Sequence, residues 1–244
     1  MKACLTLLAF LFLFSNPNLR ADFVGDLTIA QIGDSVGASP TNRTFTTDNY
    51  DSGTITWLGD NGAGSRPTFA RSGWTYRQML NGSGGVDGLR QHVENPNYET
   101  PDVVYLLGGY NDVAQAPDDS DMANAFADLV EILDLIDDSW GSAVYVANIT
   151  DFPSDRQWAH KQSNVETLNN LIESEVAQRA NTFLVDNNSL ITDDLVRPDG
   201  LHINNDGQEV IGAEFGILLS VPEPNSICFL AAIFLMQTMR RRRQ

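Results

Sequence analysis

Leu27-Thr28-Ile29-Ala30-Gln31-Ile32-Gly33-Asp34-Ser35 runs from a strand-like apolar stretch into an abrupt turn that carries a serine. Leu27 to Ile32 reads as a first strand, and Gly33 marks the point where it gives way to a helix. Further candidate strands follow near Phe69, at Val103 to Leu107, Ala143 to Ile149 and Phe183 to Val185. Between and after them, Met122 to Ile136, Val165 to Ala180 and Asp206 to Leu219 carry apolar residues at helical spacing. Alternation of this kind predicts an α/β domain, a parallel sheet with helices on its faces. Ser35 then stands at the carboxyl edge of the sheet, where open α/β folds place their ligands.

The two ends have a different character. Met1-Lys2, the apolar run Ala3 to Phe14, Ser15-Asn16-Pro17 and Ala21 read as a secretory signal over residues 1–21, with cleavage near Ala21-Asp22. At the other end Val221-Pro222-Glu223-Pro224 precedes an apolar run, Ile227 to Met239, and then Arg240 to Arg243. That run is shorter than the ~20 residues of a bilayer span. Its order resembles the PEP-CTERM sorting tail of bacterial exported proteins, over residues 221–244. The resemblance implies contact with sorting machinery at the inner membrane, retention by the arginines, and then processing and release. A simple C-terminal membrane anchor is the alternative. The expected location is periplasmic, cell-surface or extracellular.

With both ends set aside, residues 22–220 form one expected domain without internal repeats. The two cysteines, Cys4 and Cys228, lie in the terminal segments, so this domain has neither thiol nor disulfide. Its core rests on burial alone, which suffices at roughly 200 residues. The full chain carries a formal charge of −17, and loss of Lys2, Arg20 and Arg240 to Arg243 would leave it more acidic still. Such a surface repels nucleic acid and anionic lipid, and no nucleic-acid partner is expected. Pro40 to Pro67, rich in Thr, Asn, Asp and Gly, has a hairpin expected around Asn49 to Gly53. Following Ser35 directly, it is expected either to overhang the site or to form a surface hairpin.

A hydroxyl is a poor nucleophile unless a base lies within hydrogen-bond reach and is itself oriented by a third group. His202 in Pro198-Asp199-Gly200-Leu201-His202 is the best base, because Asp199 stands three residues before it and can hold one imidazole nitrogen. His92 and His160 lie in polar, helix-like stretches and lack such a carboxylate. Acyl transfer also needs donors aimed at the oxyanion. Arg71-Ser72-Gly73-Trp74 and Leu107-Gly108-Gly109-Tyr110-Asn111-Asp112 are suited to that task, although either alone reads more readily as an ordinary strand-to-helix turn. The four segments in this order, each at an expected strand end, make coincidence a poor explanation.

Gly33-Asp34-Ser35, Gly73, Gly109-Tyr110-Asn111-Asp112 and Asp199-Gly200-Leu201-His202 together resemble the four blocks of the SGNH, or GDSL-type, hydrolases. The resemblance implies a three-layer α/β/α, flavodoxin-like fold around a central parallel five-stranded sheet, and a serine esterase without cofactor or metal. It further implies that Ser35 is the nucleophile, His202 the base and Asp199 its orienter. The Ser35 and Gly73 amides and the Asn111 side chain would form the oxyanion hole. Val36 to Ser39 and Ile203 depart from the usual family pattern without removing any of these groups.

Three rival readings carry less. Gly33-Asp34-Ser35-Val36-Gly37 also fits the Gly-x-Ser-x-Gly elbow of α/β-hydrolases. That fold needs several strands before its elbow, and only about a dozen residues separate the expected cleavage point from Ser35. A metal enzyme finds no zinc spacing among three scattered histidines, and Asp118-Asp119-Ser120-Asp121 reads as a helix N-terminus. A non-catalytic matrix protein of the same fold has no need of Ser35, Asn111, Asp199 and His202 together. The expected substrate is an O-acetylated carbohydrate, with Trp57, Trp74 and Tyr110 offered as a stacking surface for sugar rings; a lipid ester or thioester is the alternative.

Overall fold

Five consecutive apolar residues form the central strand β3 (Val103–Leu107), and every one of them is buried. A strand flanked by strands and covered on both faces has no solvent side, so it has no polar alternation either. β1 (Thr28–Gly33) pairs with β3 in parallel, with Ile29 opposite Val103 and Gly33 opposite Leu107. β2 (Thr56–Leu58) lies parallel to β1 on its other edge. β4 (Ala143–Ala147) and β5 (Thr182–Val185) complete the sheet in the order β2-β1-β3-β4-β5, all parallel. The computed structural model describes residues 28–35, 56–58, 70–96, 100–117 and 121–220. The expected signal, the C-terminal tail, Phe69 and the hairpin expected around Asn49 to Gly53 lie outside these residues.

Seven helices accompany the sheet among the described residues: α1 (Tyr76–Asn81), α2 (Leu89–Glu94), α3 (Tyr110–Gln115), α4 (Asp121–Ser139), α5 (Gln162–Val176), α6 (Asn187–Leu190) and α7 (Asn205–Ser220). α4 starts with Asp121 at the positive end of its dipole, and buries Met122, Leu129, Ile132, Leu133 and Ile136 on one stripe. Burial of each such side chain contributes about 1.5–3 kcal/mol. α1, α2 and α4 pack against one another, and α5 packs against α4. The sheet face that carries Tyr105, Tyr145 and Phe183 meets Phe215 of α7, whose ring lies 4.7 Å from Tyr105 and 5.2 Å from Tyr145. Val104, Leu106 and Val146 alternate to the opposite face and are also buried, so helices cover both faces. The three-layer α/β/α fold follows.

The edge strand beside β1 is Thr56–Leu58, inside the polar Pro40 to Pro67 stretch, where the sequence offered a hairpin and no sheet strand. Three residues at a sheet edge carry too little apolar pattern to stand out from a loop. The chain from Ala70 to Thr75 forms turn and loop, with the Arg71 amide donating to Gly33 O at 2.9 Å.

Gly33 is where β1 and β3 approach most demandingly. A Cβ on it would sit 2.3 Å from the carbonyl oxygen of Leu107, a backbone atom that cannot swing aside. Gly33→Ala should therefore cost roughly 1–3 kcal/mol as an overpacked contact. Urea denaturation would read this as a lower midpoint at constant m value, and an unchanged midpoint would contradict the close approach.

Candidate active site

Ser35 follows β1 by one residue and lies half-buried at the carboxyl end of the sheet. The intervening Asp34 is fully buried, and its amide donates to Leu107 O at 3.2 Å, tying the turn to the end of β3. His202 approaches from a reversal 167 residues further on, with its Nε2 2.8 Å from Ser35 Oγ. That reversal is closed by a bridge between Val196 and Ile203 and by the Arg197 amide donating to His202 O at 2.7 Å. Ile203 is fully buried and anchors the segment from below. Asn204 fastens it to the start of α7 by accepting from the Gly207 amide at 2.9 Å.

Asp199 divides its work between its two oxygens. Oδ1 accepts the amides of Leu201 and His202, both at 2.9 Å, and so shapes the turn. Oδ2 lies 3.0 Å from His202 Nδ1 and fixes the ring plane. Burial pushes the Asp199 carboxyl up, but the two amides and the imidazole outweigh it and hold it below the ordinary carboxylate value. With Asp199 ionised, the tautomer with hydrogen on Nδ1 is favoured, and Nε2 is left to accept the serine hydrogen. His92 stands on α2, and His160 Nδ1 lies 2.9 Å from Gln157 O on the exposed surface.

Gly73 and Asn111 come from two further segments at this edge. Gly73 lies in the turn before α1 with φ +81°, and Asn111 lies in the first turn of α3, 9 % exposed. The Asn111 Nδ2 donates to Trp74 O at 3.1 Å, which joins the two segments directly. One amide hydrogen is used by that bond, and the other remains for a further acceptor. Tyr110 corrects an expectation: it is 1 % exposed, and its hydroxyl bonds Thr150 at 3.2 Å, so it offers no ring to a sugar. Trp74 is half-buried and packs on the core, and the Trp57 side chain lies outside the description.

The sequence matches the GDSL-like Lipase/Acylhydrolase family over residues 31–210. The chain belongs to this family. It is an ester hydrolase, and the acylhydrolase match spans all four of the segments described above. Solved structures with the same fold include a carbohydrate esterase family 3 from Talaromyces cellulolyticus, at 20 % identity and TM-score 0.60, covering 79 % of this chain and 96 % of that one. A Clostridium thermocellum family 3 carbohydrate esterase aligns at 16 % identity and TM-score 0.58, over 78 % of this chain and 93 % of that one. The lipase/acylhydrolase from Enterococcus faecalis aligns at 18 % and 0.56, over 80 % and 95 %. No curated protein matches the sequence of this acylhydrolase.

One contact beside the site was not legible in the sequence. Asp112, next to Asn111, accepts the Tyr76 amide at 3.0 Å through Oδ2 and at 3.4 Å through Oδ1. Its place in the first turn of a helix signals a local cap, whereas its partner lies 36 residues earlier. Burial pushes its carboxyl from the ordinary 3.8 up to about 6, against the lowering effect of the amides it accepts; nearby Asp128 adds to the rise. Between those values the native state binds the proton more tightly than the unfolded chain. The stability Asp112 contributes is thus greatest below about pH 4 and is lost as pH rises through about 6, by on the order of 3 kcal/mol. Asp112→Asn, with no charge to bury, should be more stable than the parent at pH 8, with the gap closing toward pH 5. Urea melts at both pH values check this, and a gap independent of pH would refute it.

Proposed function

We propose that this ester hydrolase uses Ser35 as nucleophile, His202 as general base and Asp199 as its orienter, and that its natural substrates are O-acetyl groups on carbohydrate. The observation that carries the mechanism is the chain Ser35 Oγ, His202 Nε2, His202 Nδ1 and Asp199 Oδ2, with spacings of 2.8 and 3.0 Å. Ser35 Oγ attacks the ester carbonyl carbon while its proton passes to Nε2, and the carbonyl electron pair moves onto oxygen. The Ser35 and Gly73 amides and Asn111 Nδ2 stabilise that oxyanion. Collapse breaks the bond to the alcohol oxygen, which takes the proton from Nε2 and leaves an acyl-Ser35. Water then gives a proton to Nε2, attacks the acyl carbon and releases the acid with restoration of the serine hydroxyl.

Support for an acetyl group on a sugar comes from the fold neighbours, two of which bear the name family 3 carbohydrate esterase and a third that of an acetyl esterase solved with acetate ion. The acidic chain also disfavours an anionic lipid surface as its working place. We place the enzyme outside the inner membrane on the strength of residues 1–21, with residues 221–244 engaging sorting machinery. Mass spectrometry of the exported protein tests this: both termini should be trimmed, and a cytoplasmic full-length chain would overturn it.

Hydrolysis of p-nitrophenyl acetate should be lost by about a thousandfold or more in Ser35→Ala, with the circular-dichroism melt retained. Equal turnover in the variant would remove the mechanism. Asn111→Ala should slow turnover by about a hundred- to a thousandfold if it donates to the oxyanion. A series from acetyl to long acyl esters, beside acetylated xylan, tests the substrate. Rates should fall beyond the shortest acyl chains, and preference for long chains would favour a lipid ester instead.

A further inference from the structure

An oxyanion site built from two segments works only if those segments are fixed relative to each other, since about 1 Å of misplacement can cost a hundredfold in rate. Here the Gly73 turn and the first turn of α3 meet through two side-chain bonds. One is Asn111 Nδ2 to Trp74 O, which uses a donor that the oxyanion itself needs nearby. The other is the Tyr76 amide to the Asp112 carboxylate, three residues beyond Gly73 on one side and one residue beyond Asn111 on the other. The surfaces behind these bonds fit closely. A Cβ on Gly109, at the N-terminus of α3 with φ +94°, would lie 2.9 Å from the Tyr76 hydroxyl.

We propose that Asp112 is a positioning residue for the oxyanion site: by holding the first amide of α1 against the first turn of α3, it sets the Gly73 amide at its working distance from the Asn111 side chain. This rests on the serine esterase reading above. A carboxylate at the third residue of a helix ordinarily satisfies amides of its own first turn. Asp112 accepts its own amide and in addition spends hydrogen-bonding capacity on a different helix, the one that directly follows the Gly73 turn. It has an alternative-free partner in that role, because the Tyr76 amide is the first of α1 and has no acceptor within its own helix. The surroundings are arranged to leave the carboxyl to that task. Asp128 of α4, an acid whose charge acts on Asp112, is engaged by Arg77 at 3.0 and 3.1 Å, and Tyr76 itself is fully buried. What the geometry asks of residue 112 is an acceptor oxygen at one place, which an amide oxygen also supplies.

Steady-state kinetics of the full chain on p-nitrophenyl acetate, with Asp112→Ala, Asp112→Asn and Asp112→Glu, test the proposal. The alanine variant should lose about a hundredfold in kcat with KM little changed. Asparagine, of the same shape, should recover most of that loss, and glutamate, charged but longer, should not. A folded alanine variant with the parent kcat, or asparagine losing as much as alanine, would overturn the proposal. If the alanine variant does not fold, the asparagine and glutamate pair decides: higher kcat for asparagine supports it, and equal values overturn it. Activity that survived Ser35→Ala would defeat the esterase mechanism itself, whatever the Asp112 variants do, so the two failures are told apart.

Discussion

Parallel pairing of β1 with β3 brings Gly33 opposite Leu107 so closely that no side chain fits between them, and both strands end there. Two candidate groups leave from that one edge: Ser35 beyond β1, and Asn111 beyond β3. The Asp34 amide on Leu107 O and the Arg71 amide on Gly33 O extend the same junction to the serine turn and to the segment that carries Gly73. A shift of either strand would move all three segments together. Sheet packing on both faces resists such a shift, because β3 is buried throughout and close-packed interiors do not deform by small degrees.

His202 is brought in by a different device. It belongs to no strand of the sheet, and its segment is held by the Val196–Ile203 bridge, the buried Ile203 and the Asn204 cap on α7. The Asp199 carboxylate then completes the turn and the imidazole at once. Each of these hydrogen bonds has a modest net worth of about 1 kcal/mol. Together they leave the ring few orientations, and that restriction matters more for acyl transfer than their summed energy.

The strand-like runs at Val103 to Leu107 and Ala143 to Ile149, the second of them two residues longer than the strand it forms, and the helical stripe from Met122 to Ile136, were legible in the sequence because burial on a regular element imposes a local period. β2 was not, since Thr56–Leu58 is short, on an edge, and set in polar sequence. Tyr110 shows the limit of reading residue type alone. An aromatic beside a glycine turn suggested a sugar platform, yet the first turn of α3 points that ring into the core, where Thr150 takes its hydroxyl. Asp112 shows the same limit for charge, because a carboxylate at a helix start has an obvious local use and its cross-helix partner leaves no local trace.

Sequence by itself determined the alternation of strands and helices, the glycine that ends the first strand, and the residue types present: a hydroxyl, an imidazole three residues from a carboxylate, a glycine turn and a side-chain amide. These are properties of short windows, where backbone geometry and side-chain chemistry act between neighbours. Only the tertiary structure decided that Ser35 and His202 stand 2.8 Å apart across 167 residues, that Tyr110 faces inward, and that Asp112 holds the amide of Tyr76. Contacts between distant segments follow from how strands cross over and helices dock, and that depends on the packing of the whole domain rather than on any one stretch of chain.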